Sequence, residues 1–392
     1  MKRFRLLAVR SFLLMLSLCF CALLGLARES SAQSSDAAAA PSKAVHPACA
    51  APSASQTKTE GEGGTASNAV TNSGPLRDPD LLPKNGSRPM EDWNTLKVPS
   101  GFRYADPMPP LRGEFPEFTR EIVQLTWRPW DIIDLYVMKP KGVKKPPVIL
   151  YLYSFPSDTD RFRDNEFAQV VTKNGFAAVG FVSALTGSRY HDRPMREWFV
   201  SDLQEALGST VHDVQLILSY LASRGDLDMT RVGMFAEGSG ASIAIMAASV
   251  DPRIRALDLF EPWGDWPDWL AHSALIQSDD ERANYLKPEF LKRVENLDPV
   301  KYLPQLKNQK VRVQFLEDDK ITPKAARERL EAVLPPDAAS VRYQDSRDFL
   351  KTVQTTDNMF NWLQEQVVAP AANAEKEPAT GTPSSAVKAS NQ

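Results

Sequence analysis

The chain has 392 residues and a formal charge of −3, from 46 lysines and arginines against 49 aspartates and glutamates. This near balance, without a cluster of basic residues, argues against a nucleic-acid-binding protein. All three cysteines lie within the first 49 residues, so no disulfide can form in the rest of the chain, which has to fold around its own apolar core.

The first 32 residues have the pattern of a secretory signal peptide. Basic residues open it, an apolar run spans 12–27, and small residues at 30–32 suit a signal peptidase, which predicts cleavage before Gln33. The alternative is an uncleaved anchor, but the apolar run is shorter than the roughly 20 residues of a membrane span. Cleavage removes five basic residues and one acidic residue, which moves the charge from −3 to −7. We therefore expect export to the periplasm or out of the cell, with no stable membrane insertion after cleavage.

Residues 33–98 are a predicted disordered linker. The stretch is rich in Ala, Ser, Pro, Gly and Thr, and it cannot bury enough apolar surface to offset the entropy lost on ordering. The tail at 369–392 has the same composition. A single domain at 99–368 lies between them.

Within this domain, apolar runs of strand length alternate with helical patterns. The predicted strands lie at 120–127, 132–138, 146–153, 176–182, 231–235, 256–260, 311–315 and 340–343. The predicted helices lie at 165–174, 198–224, 240–249 and 355–367. After two antiparallel strands, strands separated by helices predict a mainly parallel sheet with helices on both faces. The segment 262–300 is too long for a simple crossover and is predicted to form a small helical cap.

The sequence R-V-G-M-F-A-E-G-S-G-A-S at 231–242 resembles the nucleophile elbow of the α/β-hydrolase superfamily. In that elbow a strand, a sharp turn that carries the nucleophile and a closely packed helix follow one another. G-D-L-D-M-T-R before it and L-D-P-V-K-Y-L-P-Q-L after it resemble hydrolases of the prolyl-oligopeptidase, dienelactone-hydrolase and acetyl-esterase type. The resemblance implies a three-layer α/β-hydrolase fold.

The nucleophile position of this elbow does not hold a serine. Alignment on R-V-G-M-F places Gly238 there, and glycine has no side chain that could attack a substrate. A second register makes Ser239 the nucleophile, but it puts Glu237 at a position that normally takes only Gly or Ala. In the first register, Ser239 would lend its backbone N–H to what remains of an oxyanion hole.

The resemblance assigns the acid of a catalytic triad to Asp319, although an aspartate in this turn can also simply cap it. The histidine should follow the strand at 340–343, yet no histidine follows His272. A serine without a nearby base is a poor nucleophile. One candidate base remains, His191, at the predicted carboxyl edge of the sheet, where the alternative is a loop held by local ion pairs. His212, inside a predicted helix, is predicted to have a structural role.

Six residues near the elbow and in the cap are candidates for ligand contact. They are Tyr153, Ser154, Glu237, Gly238, Trp263 and Trp266. The first two could equally be a strand end that packs under the cap. The tryptophans alternate with aspartates, which fits sugar binding and also a cap helix that buries its aromatic rings. The sequence has no metal-ligand spacing, phosphate loop or dinucleotide motif, so no metal or cofactor is predicted.

Two functions remain open. In the first, the protein is an exported, non-catalytic binding protein on a hydrolase fold, with a small-molecule, glycan or peptide ligand. In the second, it is an active serine esterase or peptidase with a rearranged site of Ser239, Asp319 and His191. The glycine at 238 and the missing late histidine favour the first hypothesis. The sequence does not predict the oligomeric state.

Overall fold

The computed structural model describes residues 91–128, 131–154, 160–185, 203–356 and 359–368. Its strands are β1 (Leu111–Glu114), β2 (Phe118–Arg128), β3 (Asp131–Pro140), β4 (Pro147–Leu152), β5 (Ala177–Phe181), β6 (Asp228–Glu237), β7 (Ile254–Phe260), β8 (Lys310–Leu316) and β9 (Ala339–Tyr343). They form one sheet in the order β1-β2-β3-β5-β4-β6-β7-β8-β9. Its helices are α1 (Asn165–Thr172), α2 (Leu203–Arg224), α3 (Ser239–Val250), α4 (Trp266–His272), α5 (Asp279–Tyr285), α6 (Pro288–Val294), α7 (Lys324–Ala332), α8 (Ser346–Thr356) and α9 (Asn361–Val368).

The sheet is antiparallel at one end and parallel over the rest. β1, β2, β3 and β5 pair antiparallel, whereas β5, β4, β6, β7, β8 and β9 pair parallel to one another. Every residue of β4 is buried, as expected of a central strand covered on both faces. The predicted mainly parallel sheet is confirmed.

Helices cover the sheet on both faces. On one face, Tyr151 and Phe235 contact the rings of Phe167 in α1 and Phe360 just before α9, at centroid distances of 5.8 and 5.2 Å. The alternate residues of the same strands, such as Met234, belong to the large apolar core that includes α2 and α3. This alternation follows from the two-residue period of a strand. The three layers therefore agree with the predicted fold class.

The predicted cap is present between β7 and β8. It consists of α4, α5, α6 and three short 3-10 turns that end at Gln305. Asp298 fixes the start of α4, because its carboxylate accepts hydrogen bonds from the backbone N–H groups of Asp265 and Trp266 at 3.0 and 3.2 Å. Among the described residues, no helix combines the length and apolarity that a membrane span needs.

The domain begins earlier than the predicted boundary at residue 99. The segment 91–98 lies against α2: the Gln215 side chain donates to the Leu96 carbonyl at 2.6 Å and accepts from the Val98 N–H at 3.1 Å. Leu96 is buried, and the backbone of Trp93 lies so close to Gly208 that a Cβ there would be 2.4 Å from the Trp93 carbonyl oxygen. We call residues 91–98 the N-terminal strap. They are part of the domain, because their packing and hydrogen bonds offset the cost of ordering.

Candidate functional site

The elbow predicted at 231–242 has the expected backbone. β6 ends at Glu237, α3 begins at Ser239, and Gly238 between them has φ 53° and ψ −118°. A side chain is strained at this positive φ, which is the sharp strand-to-helix turn that carries a nucleophile in hydrolases. The Gly238 N–H donates to the Phe260 carbonyl at 2.9 Å. The turn residue is therefore Gly238, as in the first of the two registers.

The helix after the turn packs directly on the neighbouring strand. A Cβ added at Gly240 would lie 2.3 Å from the carbonyl oxygen of Leu152, at the end of β4. No side chain fits there without moving backbone. The small-residue requirement of an elbow is thus met at Gly240.

The space that a nucleophile side chain would need at residue 238 is already filled. A Cβ at Gly238 would lie 2.3 Å from Oγ and 2.8 Å from Cβ of Ser154, and 3.2 Å from Nε1 of Trp263. The Ser239 backbone N–H, which would serve an oxyanion hole, donates to Ser154 Oγ at 3.4 Å. Ser154 therefore fills the space of a nucleophile side chain, and its Oγ also accepts the hydrogen bond of the amide beside that space.

Ser239 is the first residue of α3 and is fully buried. The register that made Ser239 the nucleophile also needed the turn at Ser239, whereas the turn lies at Gly238. Glu237, the last residue of β6, instead places its carboxylate near Arg161.

The acid turn after β8 is held by its own aspartate. Asp319 accepts hydrogen bonds from the backbone N–H groups of Ile321 and Thr322, one on each carboxylate oxygen, both at 2.9 Å. The Arg327 guanidinium donates to the Asp319 carbonyl at 2.8 Å. Turn capping, which the sequence left as the alternative, is thus what the described residues display.

Glu261, which the sequence analysis did not select, also lies at this edge. It follows β7, the strand beside β8, and is only 7% exposed. Burial and the charge of Asp319 raise the pKa of Glu261 well above its ordinary value. The rule that ligand-binding residues collect at the carboxyl ends of parallel strands could have drawn attention to Glu261, since it directly follows an apolar strand.

A second charged group lies on the other side of the elbow. Glu237 Oε2 is 3.8 Å from a guanidinium nitrogen of Arg161, and this guanidinium lies 4.2 Å from the ring centre of Tyr153. Burial raises the pKa of Tyr153 to about 12, with the Arg161 charge acting in the opposite direction. Burial likewise raises the pKa of Glu237, again against Arg161. Arg161 has no motif in the sequence that would have identified it.

Two histidines lie in the described ranges, and the hydrogen bonds of both go to residues outside the elbow. His212 is buried in α2, and its ring nitrogens contact Glu91 Oε1 and the Thr95 carbonyl, both at 2.7 Å, which supports the predicted structural role. His272 is exposed on the cap and contacts Asp268 Oδ1 at 2.8 Å. The candidate base His191 lies outside the described residues.

The cap tryptophans are packed in the core. Trp263 and Trp266 are 2% and 1% exposed. The Trp263 ring lies 4.9 Å from that of Trp269, and Trp266 donates through Nε1 to the Leu297 carbonyl at 2.9 Å. Tyr153 is also buried, at 1% exposure. The three rings thus pack in the core, while Ser154 and Glu237 remain partly accessible, and ligand contact at these residues stays a prediction.

No family model and no curated protein matches the chain. Solved structures do. The domain is similar to acetyl xylan esterase 1 from Thermoanaerobacterium sp. JW/SL YS485, with 16% identity, a TM-score of 0.50, and coverage of 64% of this chain and 87% of the esterase. It is also similar to an acylaminoacyl peptidase in complex with Z-Gly-Gly-Phe-chloromethyl ketone, with 14% identity and a TM-score of 0.50. That match covers 62% of this chain and 41% of the peptidase, so the chain spans less than half of that enzyme.

At this level of identity, structural similarity describes the fold and not the reaction. The sheet order, the elbow and the helical layers agree with it. The described domain has the α/β-hydrolase fold.

Proposed function

We propose that this protein is a non-catalytic binding protein built on the α/β-hydrolase fold. The observation that carries the proposal is the filled space at Gly238, where Ser154 Oγ would lie only 2.3 Å from an added Cβ. A hydrolase of this fold needs a nucleophile side chain at this turn and an open amide donor beside it for the oxyanion. Here glycine supplies no side chain, and the Ser154 hydroxyl takes the amide donor.

Ser154 itself does not restore a nucleophile. Its Oγ accepts from the Ser239 N–H, which is the donor that a substrate oxyanion would need at the same moment. If Ser154 attacked a substrate, the Ser239 N–H would have to bind the substrate oxyanion, but Ser154 Oγ itself lies where that oxyanion would be. Ser154 is therefore better described as an internal occupant of the oxyanion hole.

The base and the acid of a triad are also unsupported. His212 is committed to the N-terminal strap, His272 is exposed on the cap, and Asp319 uses both oxygens to hold its turn. The rearranged site of Ser239, Asp319 and His191 remains the alternative, and it depends on a serine that is fully buried.

We further propose that the elbow region is where a ligand binds. Glu237 and Arg161 keep 26% and 18% of their side chains exposed there, and together they offer an acceptor and several donors. This polar pair suits a neutral ligand with both donors and acceptors, such as a glycan or a peptide amide. Export through the signal at 1–32, to the periplasm or the exterior, is part of the same proposal.

Fluorophosphonate labelling of the purified protein, followed by intact mass, tests the proposal most directly. We expect no adduct and no hydrolysis of short p-nitrophenyl esters above background. The matched variants are Ser239→Ala and Ser154→Ala, which remove the two serines at the elbow. A stoichiometric adduct and turnover that one of these variants abolishes would establish an active serine hydrolase and identify its nucleophile, and the proposal would be wrong.

A further inference from the structure

Glu261 and Asp319 lie together at the carboxyl edge of the sheet. Glu261 directly follows β7 and Asp319 follows β8, and the two strands are parallel neighbours. The Glu261 N–H continues their pairing by donating to the Gln314 carbonyl at 2.9 Å. Two acidic side chains are thus brought to one place by the strand pairing itself.

The backbone of Glu261 is held in an unfavourable conformation. Its φ is 50°, and within the described residues only one other non-glycine residue, Asp265, also has a positive φ. A side chain at positive φ is disfavoured, and strain of this kind persists when surrounding contacts fix it. We therefore expect the contacts of the Glu261 side chain to hold this backbone conformation.

One oxygen of Glu261 has a clear partner and the other does not. Oε1 accepts a hydrogen bond from the Leu316 N–H. Oε2 is buried, and no N–H or O–H group of the described part of the chain donates to it. Asp319 lies beside this carboxyl group, because its N–H donates at 3.3 Å to the carbonyl of Leu316, the residue whose N–H binds Oε1. Both Asp319 oxygens already accept backbone N–H groups, so a hydrogen bond between the two carboxyl groups needs its proton on Glu261.

The surrounding charges agree with a proton at this place. Burial raises the pKa of Glu261 most, and Asp319 raises it further, while the Leu316 N–H and the Arg327 charge oppose them. Arg327 directs its Nη1 hydrogen bonds to the backbone carbonyls of Asp319 and Thr322, at 2.8 and 3.0 Å, and not to the Glu261 carboxyl. Asp318, an exposed neighbour of Asp319, adds a further negative charge to the turn.

We propose that Glu261 and Asp319 share one proton, donated by Glu261, and that this proton keeps residues 261–263 seated against the elbow. Trp263 lies two residues further on. Its N–H donates to the Gly238 carbonyl at 3.4 Å, and its own carbonyl accepts from Ser242 Oγ at 2.6 Å. When the proton leaves, the buried Glu261 carboxylate and the partly buried Asp319 carboxylate repel each other, and the segment that fills the space at Gly238 is pushed outward.

The same turn also holds the cap, so the effect extends beyond one side chain. The Ala274 N–H donates to the Lys320 carbonyl at 3.0 Å, and Ser273 Oγ donates to the Ile321 carbonyl at 2.7 Å. Loss of the shared proton thus loosens the elbow and the cap together as pH rises. The inference does not depend on whether the elbow is catalytic.

The direction of the pH effect follows from linkage. The pKa of Glu261 is higher in the folded protein than in the unfolded chain, so the folded state binds the extra proton and loses this stabilisation as pH rises from the ordinary glutamate range through the raised value. We expect the unfolding equilibrium constant, measured by urea denaturation between pH 5 and pH 9, to increase by up to about tenfold per pH unit in this window. Glu261→Gln keeps the shape and the acceptor for Leu316, and it should remove the part of this increase that comes from Glu261, leaving only that of the other buried carboxyl groups.

Hydrogen exchange reports the local part of the proposal. Peptides that cover 259–266 should lose protection as pH rises, after correction for the intrinsic exchange rate, in the wild-type protein but not in Glu261→Gln. Asp319→Asn is the second variant, because it removes the partner charge and should reduce the pH dependence to the part that burial of Glu261 causes. Glu295→Gln is the matched control in the cap, since Glu295 is exposed and paired with Lys301 at 3.0 Å, and it should behave like the wild type.

Infrared spectroscopy tests for the proton in the wild-type protein, so this test does not depend on whether a variant folds. The native protein at pH 7 should have the C=O band of a protonated carboxyl group, and this band should disappear on unfolding. Absence of the band, or an unchanged pH dependence of stability and of exchange at 259–266 in both Glu261→Gln and Asp319→Asn, would overturn the proposal.

Discussion

An active elbow requires both a strained backbone and an open space for a side chain, and Gly238 meets only one of these requirements. The backbone requirement is met, with φ 53° at the turn. The space is not open, because Ser154 and Trp263 fill it. A single change back to serine at this position therefore has to displace neighbours as well as accept strain.

We expect Gly238→Ser to lose about 3 kcal/mol of unfolding free energy and to gain no esterase activity, because strain and overpacking add at this position. The hydroxyl of Ser154 can rotate, but its Cβ would still lie 2.8 Å from the new Cβ. Chemical denaturation and p-nitrophenyl ester hydrolysis measure the two effects.

Gly142→Ser is the control for this variant. Gly142 also has a positive φ, of 83°, but nothing lies within 4 Å of an added Cβ. It should lose only the strain contribution, about 1 kcal/mol. Equal losses for the two variants would mean that the space at Gly238 is not filled as described.

At the residue scale, the sequence predicted the position of the turn but not what occupies it. R-V-G-M-F followed by small residues placed Gly238 at the turn, since strand and helix patterns are local. The contact between Gly238 and Ser154 joins residues far apart in the chain, and Glu261 and Asp319 come to the same edge only because β7 and β8 are neighbours. Such pairs follow from tertiary structure and leave no local pattern in the sequence.

Among the elements, the N-terminal strap depends on a compact ionic cluster. Glu91 accepts from Arg128 through both oxygens, at 2.6 and 2.7 Å, and contacts His212 Nδ1 at 2.7 Å. Arg128 also pairs with Asp213 at 2.5 Å and with Asp131 at 3.1 Å. This cluster ties the strap to α2, to the end of β2 and to the start of β3.

Glu91→Gln should destabilise the folded domain at neutral pH and have little effect under strongly acidic conditions. The hydrogen bonds and charges of Arg128 and His212 outweigh burial and lower the pKa of Glu91 from 4.5 to about 2. Because the pKa is lowered in the folded protein, ionised Glu91 stabilises the folded state above about pH 4.5, and this stabilisation is lost as pH falls through about 2. The difference corresponds to about 3 kcal/mol at pH 7, measurable by urea denaturation.

Glu114→Gln is the matched control for the strap. Glu114 also pairs with a cation, Lys141, at 3.2 Å, but its side chain is 57% exposed and such pairs contribute little. It should change the unfolding free energy by less than about 0.5 kcal/mol. A Glu91→Gln loss as small as that of Glu114→Gln would show that the ionic cluster does not anchor the strap.

Element prediction from the sequence succeeded where apolar patterns were long and failed where they were short. The buried strands, α3 and the cap at 262–300 were predicted close to their observed bounds. β1 has four residues, three of them exposed, and gave no apolar signal. The helix predicted at 355–367 corresponds to α9, whereas most of α8 was not predicted, and the strap was assigned to the linker because it directly follows a stretch rich in Ala, Ser, Pro and Gly.

For the whole molecule, the carboxyl groups fall into two sets with opposite pH dependence. Burial raises the pKa of Glu237, Glu261 and Asp298, so these groups favour the folded state most when protonated. Hydrogen bonds from arginine and lysine side chains lower the pKa of Asp226, and those of Arg128 and His212 lower that of Glu91. The first set loses stabilisation as pH rises above the ordinary carboxyl range, and the second loses it as pH falls below that range.

These opposing trends predict a maximum of the unfolding free energy at about pH 5, with a decline of about 1–3 kcal/mol between pH 5 and pH 8. Below the maximum, Glu91 and Asp226 take up protons on unfolding, because the folded state does not bind them. Above it, the buried carboxyl groups lose on unfolding the protons that the folded state retains. Urea denaturation across pH 3 to 9 measures the profile. A maximum above pH 7 would contradict the argument, because the buried carboxyls would then have to be ionised in the folded domain. Since none of the cysteines lies beyond residue 49, the profile should be the same with and without a reductant.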